Sequence, residues 1–196
     1  MRRSFLLLLC FAACSPDVPN LDSPGTTIVV LGDSIAAGVG SGPGQAYPDL
    51  LAARFGTEVI NAGVSGNTTA DGLARIDKVL DEDPWMVIVE LGGNDVLRRV
   101  PAEVTEQNLR GILDRVISAR AVPVLVEMDA PFGADYLAIY ERLGDEYNIP
   151  VVEETLGEIL RDRDLKSDTI HPNASGQKIL AEALAEEIEP ILEARK

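Results

Sequence analysis

Five times along the chain a short apolar run gives way to a stretch with helical spacing. The runs are "TTIVVLG" (26–32), "TEVINAG" (57–63), "WMVIVELGG" (85–93), "VPVLVEM" (122–128) and "IPVVEE" (149–154). Helical patterns cover Tyr47 to Phe55, then "TADGLARIDKVL" (69–80) with Leu73, Ile76 and Leu80 on one face. Others run from Pro101 to Arg120 and from Ala134 to Tyr147. The last runs from Ala174 to Glu193, with Leu180, Leu184, Ile188 and Ile191 spaced for one face. Runs of nearly continuous Val, Ile and Leu suit strands buried on both sides, and a helix after each supplies the crossover that parallel strands need. The expected fold is therefore α/β, a five-stranded parallel sheet covered on both faces. In such sheets chemistry collects just past the carboxyl ends of strands, where the strand order reverses.

The 196 residues suit one domain, placed here at 26–196, and the hydrophobic fraction of 46% is that of a chain with a full core. A formal charge of −15, from 17 Lys and Arg against 32 Asp and Glu, repels phosphate backbones and argues against nucleic acid as a partner. The start, "MRRSFLLLLCFAAC", has two arginines, an apolar run too short to span a bilayer, and small residues before Cys14. It resembles a bacterial lipoprotein signal: residues 1–13 would be removed and Cys14 lipidated. Residues 14–25, with three prolines, would then form a tether. Both cysteines, Cys10 and Cys14, precede residue 15, so the domain itself is expected to have no disulfide and no cysteine-bound metal. The address implied is the periplasm, with membrane contact only through the N-terminal anchor. Ser15 after the cysteine favours the outer membrane.

Four segments with useful chemistry follow strands. "GDS" (32–34) follows the first, "NAGVSGNTT" (61–69) the second, "GGND" (92–95) the third, and "SDTIHPNASG" (167–176) comes after the fifth. The last holds the only histidine, His171, three residues after Asp168. A serine hydroxyl needs a base to become a nucleophile, and imidazole serves near neutral pH. The imidazole in turn needs a carboxylate to fix its tautomer. Ser34, His171 and Asp168 are the candidates for these roles. Donors for the oxyanion would be the amides of Ser34 and Gly63 and the side chain of Asn94. Each residue also has a plainer use: Ser34 in a turn, Gly63 in a left-handed turn, Asn94 and Asp168 bonding their own loops, and Asn173 capping the last helix.

Taken in this order, "GDS", "NAGVSGNTTADGLARI", "VELGGND" and "DTIHPN" resemble the SGNH (GDSL) hydrolase superfamily, in particular its thioesterase, lysophospholipase and arylesterase types, over about Thr26 to Leu192. The resemblance implies a flavodoxin-like three-layer sandwich and a catalytic Ser34, Asp168 and His171. It also implies an oxyanion hole from Ser34, Gly63 and Asn94, small acyl ester or thioester substrates, and no metal or other cofactor. The chain departs from the family in having Ile35 for Leu and Val96 for Gly, and "MDAPFGADY" after the fourth strand is shorter than usual.

Three rival readings fit the sequence less well. An α/β-hydrolase would need Gly where Ala36 stands in "GDSIA". A non-catalytic flavodoxin-like module would want a phosphate-cradling loop after the first strand. A metal-dependent phosphatase using Asp33, Asp95 and Asp129 would leave the serine, glycine, asparagine and histidine idle. Within the superfamily, the alternative is a carbohydrate O-acetylesterase, which the 5% aromatic content does not favour.

Overall fold

A computed structural model describes residues 16–129 and 134–195. β1 (Thr27–Gly32) is wholly buried, as are β3 (Pro84–Glu90) and β4 (Val122–Val126), which matches their unbroken apolar sequences. β2 (Val59–Asn61) and β5 (Val151–Val152) are the edges. All pairs are parallel and the order is β2-β1-β3-β4-β5. Both edge strands are shorter than their apolar runs, because each has a partner on one side only. The residues beyond the ladder peel away into loops.

The helices are α1 (Tyr47–Phe55), α2 (Thr69–Leu80), α3 (Gly93–Leu97), α4 (Ala102–Ser118), α5 (Ala134–Tyr147), α6 (Thr155–Arg161) and α7 (Ala174–Arg195). α1 and α6 pack against α7, and α2 and α5 against α4, so the helices form two layers. α7 buries the four residues its spacing selects, Leu180, Leu184, Ile188 and Ile191. α2 starts at a capping box between Thr68 and Asp71 and buries Ile76 and Val79, while Leu73 and Leu80 are only partly covered. α3 is absent from the sequence expectation. Its five residues are too few for a hydrophobic period to register.

The segment read as a tether is not free over its described part. Val18 and Leu21 pack on the core, and Asn20 donates to the carbonyls of Ile117 and Ala121 at the end of α4. Ser23 is buried, and Arg195 donates to its carbonyl at 3.2 Å while stacking 4.5 Å from the Trp85 ring. The two apolar side chains have a core surface to cover, and that outweighs the prolines around them. Cys14 and the signal segment lie outside the described residues.

The chain winds outward from β1 to β2, then returns past β1 to β3 and continues to β5. The reversal lies between β1 and β3. Their carboxyl ends, Gly32 and Glu90, are in register. The loops carrying Ser34 and Asn94 therefore leave the sheet side by side.

Candidate active site

Directly after β1 the backbone coils into a tight turn. Ala37 donates to the Asp33 carbonyl (3.1 Å), Gly38 to Ile35 (3.0 Å) and Val39 to Ser34 (3.0 Å). Gln177 of α7 fixes the turn from behind, its amide donating to the Ile35 carbonyl at 2.9 Å and its oxygen accepting from the Tyr47 amide at 2.9 Å. Ser34 is thus held on a turn with little freedom, at the mouth of the crevice.

The segment before α7 is pinned just as firmly. Lys166 and Pro172 form an antiparallel bridge, Ser167 donates to the His171 carbonyl (2.9 Å), and Asn173 donates to Leu165 (2.9 Å). Asn173 also caps α7, accepting from the amides of Ser175 and Gly176. This loop meets the serine turn at Gly40, where φ is +94°. A Cβ there would overlap the Ser167 hydroxyl and the Pro172 carbonyl, so only glycine allows the approach.

The approach aligns three side chains. His171 Nε2 lies 3.0 Å from Ser34 Oγ, and His171 Nδ1 lies 2.7 Å from Asp168 Oδ2. An ionised Asp168 can only accept, which puts the ring proton on Nδ1 and leaves Nε2 free to accept from the serine hydroxyl. Asp168 Oδ1 accepts the amides of Ile170 and His171, both at 2.9 Å. The bond to His171, and then those amides, hold the Asp168 carboxyl below its usual acidity range.

Gly63 and Asn94 also reach this edge. Gly63 is not in a left-handed conformation; a Cβ on it would press into the backbone of Ala36 and Ala37. Its amide is aimed at Asn61 Oδ1 (2.9 Å), so to serve an oxyanion it must share or release that bond. The Asn94 amide donates to Asp33 Oδ2 (2.8 Å) and to the Asn67 carbonyl (3.0 Å). All five residues singled out in the sequence therefore reach the same edge of the sheet, with His171 in contact with both Ser34 and Asp168 and the two donors satisfied within the protein.

Several supporting residues were not foreseen. Asn61 donates to the Ala36 carbonyl (2.6 Å), Arg75 donates to Gly32 (2.9 Å), and the buried Glu90 accepts from the turn's amides. Of these only Glu90 left a mark in the sequence, as a lone charge closing an apolar strand. Asp33, Asp95 and Asp129 do not gather: Asp95 accepts from Thr69 and Thr105, and Asp129 from the Gly157 amide. Among the described residues no group of three or more His, Cys, Asp or Glu is placed to hold a metal.

Beside Ser34 and Asn94 lies a pocket of about 30 Å³ whose other walls include Leu97, Met128, Leu156, Leu160 and Ile170. It is mostly apolar, and two of its walls come from α6. A carbonyl carbon next to Ser34 would have a hydrocarbon surface on one side and the polar turn on the other.

Comparison with known proteins agrees with this architecture. The GDSL-like Lipase/Acylhydrolase family matches residues 30–179. Thioesterase 1/protease 1/lysophospholipase L1 of Escherichia coli K12 is 36% identical, the alignment covering 96% of this chain and 91% of that protein. Esterase TesA of Pseudomonas aeruginosa is 32% identical, over 97% and 100% of the two chains. The crystal structure of TesA superposes with a TM-score of 0.77 at 31% identity, covering 84% of this chain and 99% of that one. AlinE4, an SGNH-hydrolase family esterase, superposes with a TM-score of 0.68 at 36% identity, over 86% and 97%. A strand order shared with flavodoxin, a serine turn and histidine loop at its switch point, and this likeness along nearly the whole chain agree: the chain belongs to the GDSL-like lipase/acylhydrolase family and is an ester hydrolase.

Proposed function

We propose that the protein cleaves short acyl esters or thioesters through a Ser34–His171–Asp168 triad and an acyl-enzyme. The observation that carries the reading is the unbroken line of contacts from Ser34 Oγ through His171 to Asp168. Ser34 Oγ attacks the acyl carbonyl while its proton passes to His171 Nε2. Asp168 keeps the ring in the required tautomer and steadies the imidazolium that forms. The oxyanion is met by the amides of Ser34 and Gly63 and by the Asn94 side chain. Collapse breaks the bond to the leaving group, which takes the proton from His171. Water then attacks the acyl-serine by the same route in reverse, releasing the acid and restoring Ser34. Every proton is returned, so no cofactor is called for.

The pocket speaks to the acyl part. At roughly 10–15 Å³ per water-sized group, about 30 Å³ accepts two or three such groups, which suits acyl chains of about two to four carbons. Acetyl falls inside that range, so an O-acetylated sugar remains the second substrate to test. Burying each further methylene would add about 0.8 kcal/mol, near fourfold in kcat/KM, for as long as the pocket had room. A series of p-nitrophenyl esters and matched thioesters, with an acetylated sugar alongside, reads this directly. The optimum should fall at short chains. A rise that continues to long chains would refute the short-acyl assignment.

Cys14 is proposed as the lipid-modified N-terminus of the mature chain, at the periplasmic face of a membrane and by preference the outer one. With Val18 onward packed on the domain, little chain is left between anchor and enzyme. Mass spectrometry of the native protein should find an acylated cysteine at its start; an unmodified start after Cys14 rules the anchor out.

A further inference from the structure

Glu90, the last residue of β3, is completely buried and has no role in the mechanism above. Its two oxygens are used unequally. Oε2 accepts the amides of Asp33 (3.2 Å) and Ala36 (3.1 Å), which lie on either side of Ser34. Oε1 is buried and accepts from no N–H or O–H among the described residues. A carboxylate wants donors on both oxygens. An un-ionised acid instead shows one carbonyl-like oxygen to donors and carries an O–H that needs an acceptor. An acceptor is at hand: Asp33 follows Gly32, the partner of Glu90 in the β1–β3 ladder, and its own amide lies 3.2 Å from Glu90 Oε2.

Asp33 is itself buried, and N–H donors satisfy both of its oxygens: the Ile35 amide on Oδ1 (3.0 Å) and the Asn94 side chain on Oδ2 (2.8 Å). Two neighbouring buried carboxyls resist ionising together, and the better-solvated one keeps the charge. That one is Asp33. We propose that Glu90 is a positioning residue: it shares one proton with Asp33 and so fixes both the serine turn and the Asn94 amide. The idea rests on the roles given to Ser34 and Asn94 above and explains what holds them in place.

Burial, reinforced by the charge of Asp33, keeps the Glu90 carboxyl well above the usual carboxylate range, and burial raises Asp33 too. The other titratable groups around the pair are Tyr47 of α1 and Tyr140 of α5, both held above tyrosine's usual value by burial, and His171 beyond Asp33. Arg75 of α2 reaches the Gly32 carbonyl next to the turn. At low pH Glu90 is neutral and the link is intact. As pH rises through its folded value, a second negative charge appears beside Asp33 and the shared proton is lost. Turnover should fall on that alkaline side.

The test is kcat and KM against pH for wild type, Glu90→Gln and Glu90→Leu. Glutamine keeps an accepting oxygen for the two amides and offers an N–H to Asp33; leucine offers neither. Glu90→Leu should lose about tenfold or more in kcat, bounded by the roughly 10²–10³ that one oxyanion donor is worth, with KM changed by about twofold or less. Glu90→Gln should restore most of that kcat and lack the alkaline fall. Wild-type kcat in Glu90→Leu, a Glu90→Gln as slow as the leucine variant, or a Glu90→Gln that keeps the alkaline fall would each overturn the proposal. If the leucine variant does not fold, the pH comparison of wild type with Glu90→Gln decides alone. Labelling by a serine-directed organophosphate separates the two levels. A wild type that takes no label on Ser34 removes the nucleophile reading, whereas labelled variants with unchanged kinetics remove Glu90 only.

Discussion

Asp168 divides its work between its oxygens: Oδ1 closes its own loop and Oδ2 holds the imidazole. The contacts that the plain reading and the catalytic reading each ask of this residue are thus both made by one side chain. Replacing it with asparagine keeps the size and loses the charge. If the wrong tautomer results, kcat should fall by up to about 10⁴-fold, and His171→Ala should do at least as much. Because the base must be neutral, wild-type kcat/KM should rise with pH along the acidic limb, before the alkaline fall assigned to Glu90. The profile for wild type and Asp168→Asn is the check; a near-normal Asp168→Asn beside an inactive His171→Ala would place the orienting group elsewhere. At this scale the sequence was legible for residues that follow strands, since a polar residue after an apolar run stands out. It was silent on what Asn61, Arg75 and Gln177 bond to, because their partners lie far off along the chain.

Among the elements, α3 has the most influence on the site for its size. It is preceded by its N-cap Gly92, where φ is +129° and a Cβ would overlap the Tyr140 hydroxyl, which donates to the Leu91 carbonyl (2.7 Å). That glycine sets the angle at which Asn94 leaves β3. Gly92→Ala should cost about 1–3 kcal/mol in backbone strain alone and reduce turnover as Asn94 shifts. Leu184→Ala, on the buried face of α7, is the control, costing about 2–5 kcal/mol of stability while sparing turnover at temperatures where it remains folded. Thermal melts paired with kcat measure both; equal losses of turnover would deny α3 its special place. The helices α1, α2, α4, α5 and α7 were legible because the helical period repeats in each. The strand ends and α3 were not, because edge pairing and a single helical turn are set by neighbours in space.

On the scale of the whole molecule, the fold joins groups that the chain keeps far apart. Ser34 and His171 are 137 residues apart in sequence, yet their side chains meet because β1 lies inside the sheet, between β2 and β3, and α7 packs with α1. The alternation of runs sufficed to foresee a parallel sheet with its chemistry at the strand ends. It did not show that the N-terminal segment would pack on the core, since two apolar residues among prolines make no period. The central claim is that this convergence makes Ser34 a nucleophile. The most direct measurement is stoichiometric reaction with a serine-directed organophosphate, with the adduct mapped by peptide mass spectrometry, in wild type and Ser34→Ala. One label per chain on Ser34, none in the variant, and a loss of up to about 10⁶-fold in kcat is the predicted result. A Ser34→Ala protein that still takes the label or still hydrolyses the ester at the wild-type rate would contradict it.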